Sequence, residues 1–151
     1  MATIITASGQ EILVDDCDLF WVNQMKWNIS PRGYARAWIR GCSPRKSTHL
    51  HRLVLGAKDG EIVDHINRNK LDNRRDNLRI ATPFLNALNR SVRGCNKYKG
   101  VSRHKSGWQV YVGGKYIGLF ANDLDAALAY DAAAKKQYGD LVTTNKELGL
   151  L

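Results

Sequence analysis

The chain has 151 residues, 44% of them hydrophobic, which is enough for one domain or two small ones. Its formal net charge of +9 predicts a polyanionic partner, and no apolar stretch approaches the roughly 20 residues of a membrane-spanning helix. The N-terminus lacks the charged start and long apolar core of a signal peptide, so we expect a soluble, cytoplasmic protein with no membrane partner.

The positive charge is concentrated in two blocks. Residues 32–55 and 91–118 each contain six Lys or Arg and no Asp or Glu. Charge alone could serve solubility. These blocks, however, flank a polar stretch on both sides, and this placement favours a partner with a phosphate backbone.

The three cysteines, Cys17, Cys42 and Cys95, are odd in number and widely separated. No C-x-x-C pair is present, and a site built from Cys42, His49 and His51 would lack a fourth ligand. We therefore expect free thiols and no structural zinc.

The first 41 residues predict two extended segments. E-I-L-V-D-D at 11–16 reads as a short strand, whereas D-L-F-W-V at 18–22 fits a helical turn or an extended segment equally well. G-Y-A-R-A-W-I-R-G at 33–41 alternates as a strand does. Its core face would hold Ala35, Ala37 and Ile39, and its other face Tyr34, Arg36, Trp38 and Arg40.

Two interpretations of that second face stay open. Arg36, Trp38 and Arg40 could contact DNA phosphates and bases, or Trp38 could cover the edge of the core while the arginines extend over it. Farther along, His51 reads as a satisfied structural histidine rather than a second base.

A polar stretch from Asp64 to Asn86 lies between short apolar segments. Ile62–Val63 and residues 78–81 are expected to be extended, and Thr82-Pro83 predicts a helix start. We expect these elements to bring together four polar side chains, those of Asp64, His65, Asn77 and Asn86.

The residues D-H-x-N-x-N-K-x-x-N-x-x-x-N-L-R, followed by the Asn of a short helix, resemble the ββα-metal motif of HNH endonucleases, in the subgroup related to phage and intron homing enzymes. The resemblance implies that His65 is the general base, that Asn77 orients it, and that Asp64 and Asn86 are metal ligands. Many members of the family have a second His where this chain has Asn86.

The chemistry of these residue types agrees with the implied roles. A neutral imidazole can take a proton from water, and hard oxygen ligands favour Mg²⁺ or Mn²⁺. D-H and N-L pairs also close turns without any catalysis. The cations of this stretch are candidate DNA contacts: Arg68, Lys70, Arg74 and Arg75.

Residues 91–97 read as a basic linker, after which three short strands and a helix are expected. Turns are predicted at Ser106-Gly107 and Gly113-Gly114, and the helix is predicted to follow a cap at Asn122 or Asp123 and to end at Gly139. The expected face towards the helix holds Trp108, Val110, Val112, Ile117 and Leu119.

Y-K-G-V, W-Q-V-Y-V, I-G-L-F and A-A-L-A-Y-D-A-A-A resemble the APETALA/ethylene-response-factor DNA-binding domain, which lays its sheet in the DNA major groove. Ser102 and His104 stand where the plant proteins have arginines, so the plant target sequence does not transfer. The expected DNA contacts of this region are Lys97, Lys99, Arg103, His104, Lys105, Gln109, Tyr111, Lys115 and Tyr116.

Together these patterns predict an α+β protein with a nuclease domain at 1–90, a linker at 91–97 and a DNA-binding domain at 98–151. The expected function is a homing-type endonuclease that acts on double-stranded DNA with Mg²⁺ or Mn²⁺ and without a small-molecule cofactor, in the host cell of a phage or mobile element. The alternatives are a non-catalytic DNA-binding regulator with a decayed nuclease fold and, on charge alone, an RNA-binding accessory protein. The four intact polar residues argue against decay.

Overall fold

The computed structural model describes residues 1–39, 41, 43–92 and 96–151. The chain forms two compact units, Met1–Thr82 and Pro83–Leu151. Both combine antiparallel strands with short or medium helices, so the predicted α+β class is confirmed. No helix of the described part of the chain is long and apolar enough to cross a membrane.

The first unit begins with a hairpin of β1 (Ala2–Ile5) and β2 (Glu11–Val14), followed by the short helix α1 (Leu19–Val22). A three-stranded antiparallel sheet comes next, with β3 (Asn28–Ile29), β4 (Ala35–Trp38) and β5 (Ser47–His49), and leads into α2 (Leu50–Leu55). The strand predicted at 11–16 is confirmed as β2, and the segment at 18–22 is helical rather than extended.

The polar stretch lies between two paired strands. β6 (Ile62–His65) and β7 (Leu78–Ala81) are antiparallel, and a 3₁₀ turn at Arg75–Asn77 leads directly into β7. Both predicted extended segments are confirmed, and β6 continues through Asp64 and His65. The two residues of the D-H pair are therefore fixed by strand pairing and do not belong to a loose turn.

The core of the first unit is apolar and small. Ile12, Val14 and Leu50 are fully buried, and Ala35 and Ala37 of β4 pack beside them as the alternation predicted. The expectation that Ile39 shares this face is wrong. Its side chain is 40% exposed because β4 ends at Trp38 and the strand alternation no longer applies to it.

The N-terminal hairpin holds the polar loop in place. Leu13 N–H donates to the carbonyl of Leu71 at 2.8 Å, and Leu13 C=O accepts from Asn73 N–H at 2.8 Å. These bonds form a parallel bridge between Leu13 and Asp72. A strand from the start of the chain thus fixes the backbone of a loop some 60 residues later.

The second unit contains α3 (Pro83–Leu88), β8 (Val101–His104), β9 (Gly107–Val112), β10 (Lys115–Phe120) and α4 (Asp123–Tyr138), with a 3₁₀ turn at Gly139–Leu141. The strands form an antiparallel sheet in the order β10-β9-β8. The helix start at Thr82-Pro83 is confirmed. Leu88 of α3 is part of the core of this unit, although the helix was predicted as the end of the nuclease domain, and the predicted domain boundaries stay a prediction.

Local sequence explains the sheet and its helix. Gly113 and Gly114 both have positive φ, of 58° and 86°, which suits the two-residue turn between β9 and β10. The side chain of Asn122 caps α4 by accepting from the N–H of Asp125 at 2.8 Å. Small side chains such as Ala126 and Ala134 are fully buried, so the helix packs close to the sheet.

A β-bulge changes which residues of β10 face the helix. The register shifts between Tyr116 and Gly118, after which Leu119 stands opposite Gln109 and Phe120 opposite Trp108. The expectation that Leu119 faces the helix is therefore wrong. It is 44% exposed, and Phe120 packs against the core instead.

Candidate active site and nucleic-acid interface

Asp64 and His65 lie at the end of β6, where strand pairing and burial hold both. Asp64 is 7% and His65 5% exposed, and the register places them opposite Arg79 and Leu78 of β7. Burial of a carboxylate and an imidazole side by side is costly unless both are partnered. Such a pair is therefore a candidate functional site.

Arg79 is the partner of Asp64 that the sequence analysis missed. Its Nε and Nη2 donate to Asp64 Oδ2 at 3.1 and 2.9 Å. The signal was present in the motif, because pairing the D-H segment with N-L-R in antiparallel register places the Arg opposite the Asp. The pairing of Arg79 with Asp64 follows only once the register of β6 and β7 is known, and the sequence alone does not give that register.

The environment of His65 favours the neutral imidazole. Burial lowers the pKa of His65 below its ordinary value, whereas the amide of Asn73 and the carboxylates of Asp64 and Asp72 oppose the shift. Asn73 is fully buried, and neither atom of its amide forms a well-shaped hydrogen bond within the described chain.

Asn77 closes the loop rather than facing His65 in a described contact. Its Oδ1 accepts from Asn67 N–H at 2.9 Å, and its Nδ2 donates to the Asp72 carbonyl at 2.8 Å. Its own carbonyl accepts from Ile66 N–H, directly after His65. The role of Asn77 in orienting His65 stays a prediction.

Four rings, those of Tyr34, His49, His51 and His65, form one cluster. The ring of His51 lies 5.1 Å from that of His65, and Tyr34 and His49 lie 5.2 and 5.4 Å from His51. Burial, with the nearby His65, His49 and Arg52, lowers the pKa of His51 to about 3. His51 Nδ1 is buried and has no hydrogen-bond partner within the described residues, so the expectation of a satisfied histidine is wrong.

The proposed metal ligands are of the hard oxygen type. Asp64 belongs to the first unit, and Asn86 is a half-buried residue of α3 in the second. Within the described ranges no group of three or more His, Cys, Asp or Glu is arranged to hold a metal ion. A carboxylate and an amide oxygen fit an ion such as Mg²⁺, which keeps several waters and needs few protein ligands.

Three of the four candidate cations of the loop have partners within the protein. Arg74 bonds both carboxylate oxygens of Asp72 at 2.7 and 2.6 Å, and Arg75 bonds Asp18 at 3.0 and 2.7 Å. Lys70 Nζ donates to the carbonyl of Arg32 at 2.7 Å. Arg68 is exposed, with a φ of 65°. The DNA-binding role of all four stays a prediction.

Trp38 of β4 is exposed, and the half-buried Arg36 lies beside it on the same strand. The guanidinium carbon of Arg36 lies 5.2 Å and that of Arg45 6.0 Å from the centre of the Trp38 ring. Trp38 is 48% exposed, which suits stacking against a partner as well as it suits covering the core edge. Arg40, the third predicted contact, lies outside the described residues.

The outer face of the second unit's sheet carries polar and aromatic side chains. Gln109 stands opposite Ser102 and Leu119, and the rings of Tyr111 and Tyr116 lie 5.4 Å apart. The tips of this sheet carry three exposed residues, His104, Lys105 and Lys115. Leu119 is an addition to this face that strict alternation did not indicate.

Arg103 lies on the other side of the sheet from Gln109. It stands opposite Trp108, and its guanidinium carbon is 4.9 Å from the centre of the Trp108 ring. A cation held over an indole covers an apolar ring while keeping its charge in water. Its predicted DNA contact is untested.

Lys97 and Lys99 have different surroundings. Lys97 is exposed, 3.4 Å from Asp123 and 4.7 Å from the Tyr98 ring centre. Lys99 Nζ donates to two backbone carbonyls, those of Leu88 and Thr143. The ammonium of Lys99 thus ties together segments of its own unit, and a phosphate would compete with these bonds.

Comparison with known proteins adds independent evidence. The family model described as HNH endonuclease matches residues 48–87, the segment from β5 through most of α3. An uncharacterized HNH endonuclease of Acanthamoeba polyphaga mimivirus is 30% identical over 134 residues, a match that covers 83% of this chain and 69% of the viral protein.

A second set of relatives matches a shorter part of the chain. APETALA2-like protein 2 of Oryza sativa, in the indica and japonica subspecies, is 40% identical over 75 residues, or 42% of this chain and 17% of each rice protein. The region with this likeness is the APETALA2-like part of the chain, with three strands packed on one helix. No solved structure matches the chain at a significant level. The extent of the match to the mimivirus protein and the family model on the ββα segment show that this chain belongs to the HNH endonuclease family.

Proposed function

We propose that this protein is a homing-type DNA endonuclease that hydrolyses phosphodiesters with His65 as general base and one divalent metal. The observation that carries the proposal is the buried pair of Asp64 and His65 at the end of β6, within the segment that matches the HNH family. A buried carboxylate next in sequence to a buried, neutral imidazole offers a metal ligand and a proton acceptor, the two groups that water activation beside a bound cation requires.

His65 would take the proton of the attacking water. The pKa of His65 is lowered by burial, so the imidazole is neutral and able to accept a proton at physiological pH. The rings of His51 and Tyr34 lie 5.1 and 5.9 Å from it, and they limit how far the imidazole can rotate. The Asn77 bonds across the loop would keep the segment after His65 in one conformation.

Asp64 and Asn86 would hold the metal, Mg²⁺ or Mn²⁺, through their side-chain oxygens. When bound, the metal would supply positive charge for the phosphoryl and leaving oxygens. The support for these two ligands is the family resemblance and their hard oxygen chemistry. Asp64 is already paired with Arg79, so metal and guanidinium would have to share one carboxylate.

The APETALA2-like unit would position the nuclease on duplex DNA. The outer face of its sheet offers Gln109, Tyr111 and Tyr116, with hydrogen-bonding groups that could meet base edges. The exposed Lys105 and Lys115 lie at the tips of the same sheet, where they could contact phosphates.

Cleavage of supercoiled plasmid by the purified full chain with Mg²⁺ tests the proposal, and the ratio of open-circular to linear product separates nicking from double-strand cutting. His65→Ala should slow cleavage by roughly 10²–10⁴-fold because the general base is lost, while DNA affinity stays near that of the wild type. A matched control is Gln137→Ala, which changes an exposed side chain of α4 that has no proposed contact with metal or DNA.

Two outcomes would contradict the proposal. Wild-type turnover by His65→Ala would remove the base from the mechanism. Tight DNA binding by the wild type, without cleavage of any DNA in Mg²⁺ or Mn²⁺, would instead favour the non-catalytic regulator.

A further inference from the structure

Arg79 and Asp64 form a cross-strand pair that uses a single carboxylate oxygen. Two nitrogens of Arg79 donate to Oδ2 of Asp64, at 3.1 and 2.9 Å. The side chains are 19% and 8% exposed, so solvent and salt screen this contact less than an ordinary surface ion pair. Strand register fixes the two residues opposite each other and holds the contact in place.

Any cation bound by Asp64 would lie within a few ångströms of this guanidinium. A divalent ion and Arg79 compete for the same negative charge, and they also repel each other. Arg79 has a second effect, because it fixes the rotation of the carboxylate, and loss of such an orienting contact commonly weakens metal binding. The two effects act on metal affinity in opposite directions.

We propose that Arg79 is a positioning residue that holds Asp64 in the DNA-free protein and keeps its affinity for a divalent metal low. The charge effect outweighs the orienting effect, since the guanidinium touches the ligand's own oxygen. The inference rests on the proposed function in one respect only, the role of Asp64 as a metal ligand.

Two substitutions separate charge from orientation. Arg79→Gln removes the positive charge and keeps an N–H donor for Oδ2, so it should bind Mn²⁺ about tenfold more tightly than wild type. Arg79→Lys keeps the charge but loses the two-nitrogen contact, and its affinity should stay within about twofold of wild type. Free Mn²⁺ is measured by electron paramagnetic resonance during titration of the DNA-free full chain.

Two control variants define what the Mn²⁺ titration reports. Arg75→Gln removes an arginine that also bonds a buried aspartate through two nitrogens, but the aspartate is Asp18. Its Mn²⁺ affinity should match wild type. Asp64→Ala should lose the binding altogether. Thermal unfolding of each variant establishes that it is folded before its titration is compared.

A measurement on the wild type does not depend on a variant that folds. In a titration with diamagnetic Mg²⁺, the Nε–H resonance of Arg79 should shift as the ion and the guanidinium come to share Asp64. An unshifted resonance at saturation with metal would overturn the inference, and so would Mn²⁺ affinity in folded Arg79→Gln that equals or falls below wild type.

The failure of this inference is distinguishable from failure of the proposed function. If Asp64→Ala abolishes Mn²⁺ binding but Arg79→Gln shows no gain, only the role of Arg79 is wrong. If Asp64→Ala retains the binding, the metal is elsewhere, and the metal part of the proposed function is wrong as well.

Discussion

The two units of this protein bury different kinds of polar group. In the first unit acids and histidines are buried, among them Asp18, His51, Asp64, His65 and Asp72. The buried polar residues of the described part of the second unit are uncharged: Asn89, Thr143, Thr144 and Asn145. The first unit therefore carries the cost of desolvating carboxylates and imidazoles, a cost that the buried polar residues of the described second unit do not carry.

This contrast follows from what each unit would do. A general base and a metal ligand must be held out of bulk water in one geometry, so their unit needs arginines and amides to partner them. A surface that reads DNA keeps its hydrogen-bonding groups and charges exposed until the partner arrives. Substitutions in the first unit should therefore change mainly the stability of the unit and its dependence on pH. Substitutions on the DNA-facing surface of the second unit should change mainly the affinity for DNA.

The largest effect on stability is expected at Asp72, which is 1% exposed and accepts from Arg74 and from Asn67 Nδ2 at 2.8 Å. Asp72→Ala removes the centre of this network and should lower the free energy of unfolding of the first unit by ~3 kcal/mol at pH 7. Hydrogen exchange on the full chain, read peptide by peptide, reports each unit separately.

The control for Asp72 is Asp76→Ala, which removes an equal charge from an exposed position of the same loop. It should change stability by under ~0.5 kcal/mol. Equal effects of the two substitutions would mean that the buried network does not hold the loop. Reduced protection in the second unit would break the contrast between the units.

Local signals made much of the fold predictable. Thr82-Pro83 marks the start of α3. The turn at Gly113-Gly114 sets the end of β9, and the Asn122 cap sets the start of α4. Each of these features depends on residues a few positions apart, which a sequence displays directly.

The parts of the fold that were missed depend on register and on distant segments. Arg79 meets Asp64 only because of how β6 and β7 align, and Leu13 holds Asp72 from the far end of the unit. The bulge at Ile117 exposes Leu119, although strict alternation would bury it. The candidate site shows the same difference between local and distant information. The motif indicated which residue types form the site, and only the pairing of β6 with β7 showed which residues they contact.

The second prediction is that the first unit loses stability as pH falls below 6.5. Burial lowers the pKa of His51 to about 3. As pH falls through 6.5, the unfolded chain therefore binds a proton at His51 and the folded chain does not. Stability is fully present above that pH and should fall by ~1.4 kcal/mol per unit as pH drops from 6.5 towards 3. His49 and His65, whose pKa values are also lowered, add to this fall.

His51→Phe keeps an aromatic ring against Tyr34 and removes the titrating group. Urea unfolding at pH 7.5 and pH 5 measures how much the free energy of unfolding falls between the two pH values. That fall should be smaller in His51→Phe than in wild type by ~2 kcal/mol. His104→Phe, on the exposed edge of the second unit, should leave the wild-type loss unchanged. A His51→Phe protein with the full wild-type pH dependence would show that His51 does not titrate as described.

The third prediction tests the outer face of the second unit's sheet. Gln109 and Tyr111 lie on this face, and Tyr111 is 41% exposed. Alanine at either position should cost ~1–3 kcal/mol of binding to the preferred duplex, found by selection, and little on a scrambled duplex, because a lost base contact affects only the sequence it reads.

Gln137→Ala is the matched control, since it removes an exposed glutamine of α4 rather than of the sheet. It should leave both affinities unchanged. Equal losses on both duplexes for Gln109→Ala and Tyr111→Ala, or no losses, would mean that this face does not read bases even if the nuclease assignment holds.

The smallest effect is expected at Lys97, and it separates phosphate contact from structural use of a lysine. The Lys97 ammonium is exposed, 3.4 Å from Asp123 and 4.7 Å from the Tyr98 ring centre, and both contacts are weak at a solvent-exposed position. Lys97→Ala should flatten the slope of log affinity against log salt by roughly 0.9 and weaken all duplexes alike, because one phosphate contact and its released counterion are lost. Lys99 donates to the carbonyls of Leu88 and Thr143, so Lys99→Ala should instead lower thermal stability and change the salt slope little. Fluorescence anisotropy at four or more salt concentrations, with thermal unfolding of the same proteins, distinguishes these results. Lys99→Ala could instead flatten the slope as much as Lys97→Ala while remaining as stable as wild type. The Lys99 ammonium would then contact DNA phosphate, and the distinction between exposed lysines that bind DNA and lysines bonded within the protein would not hold in the second unit.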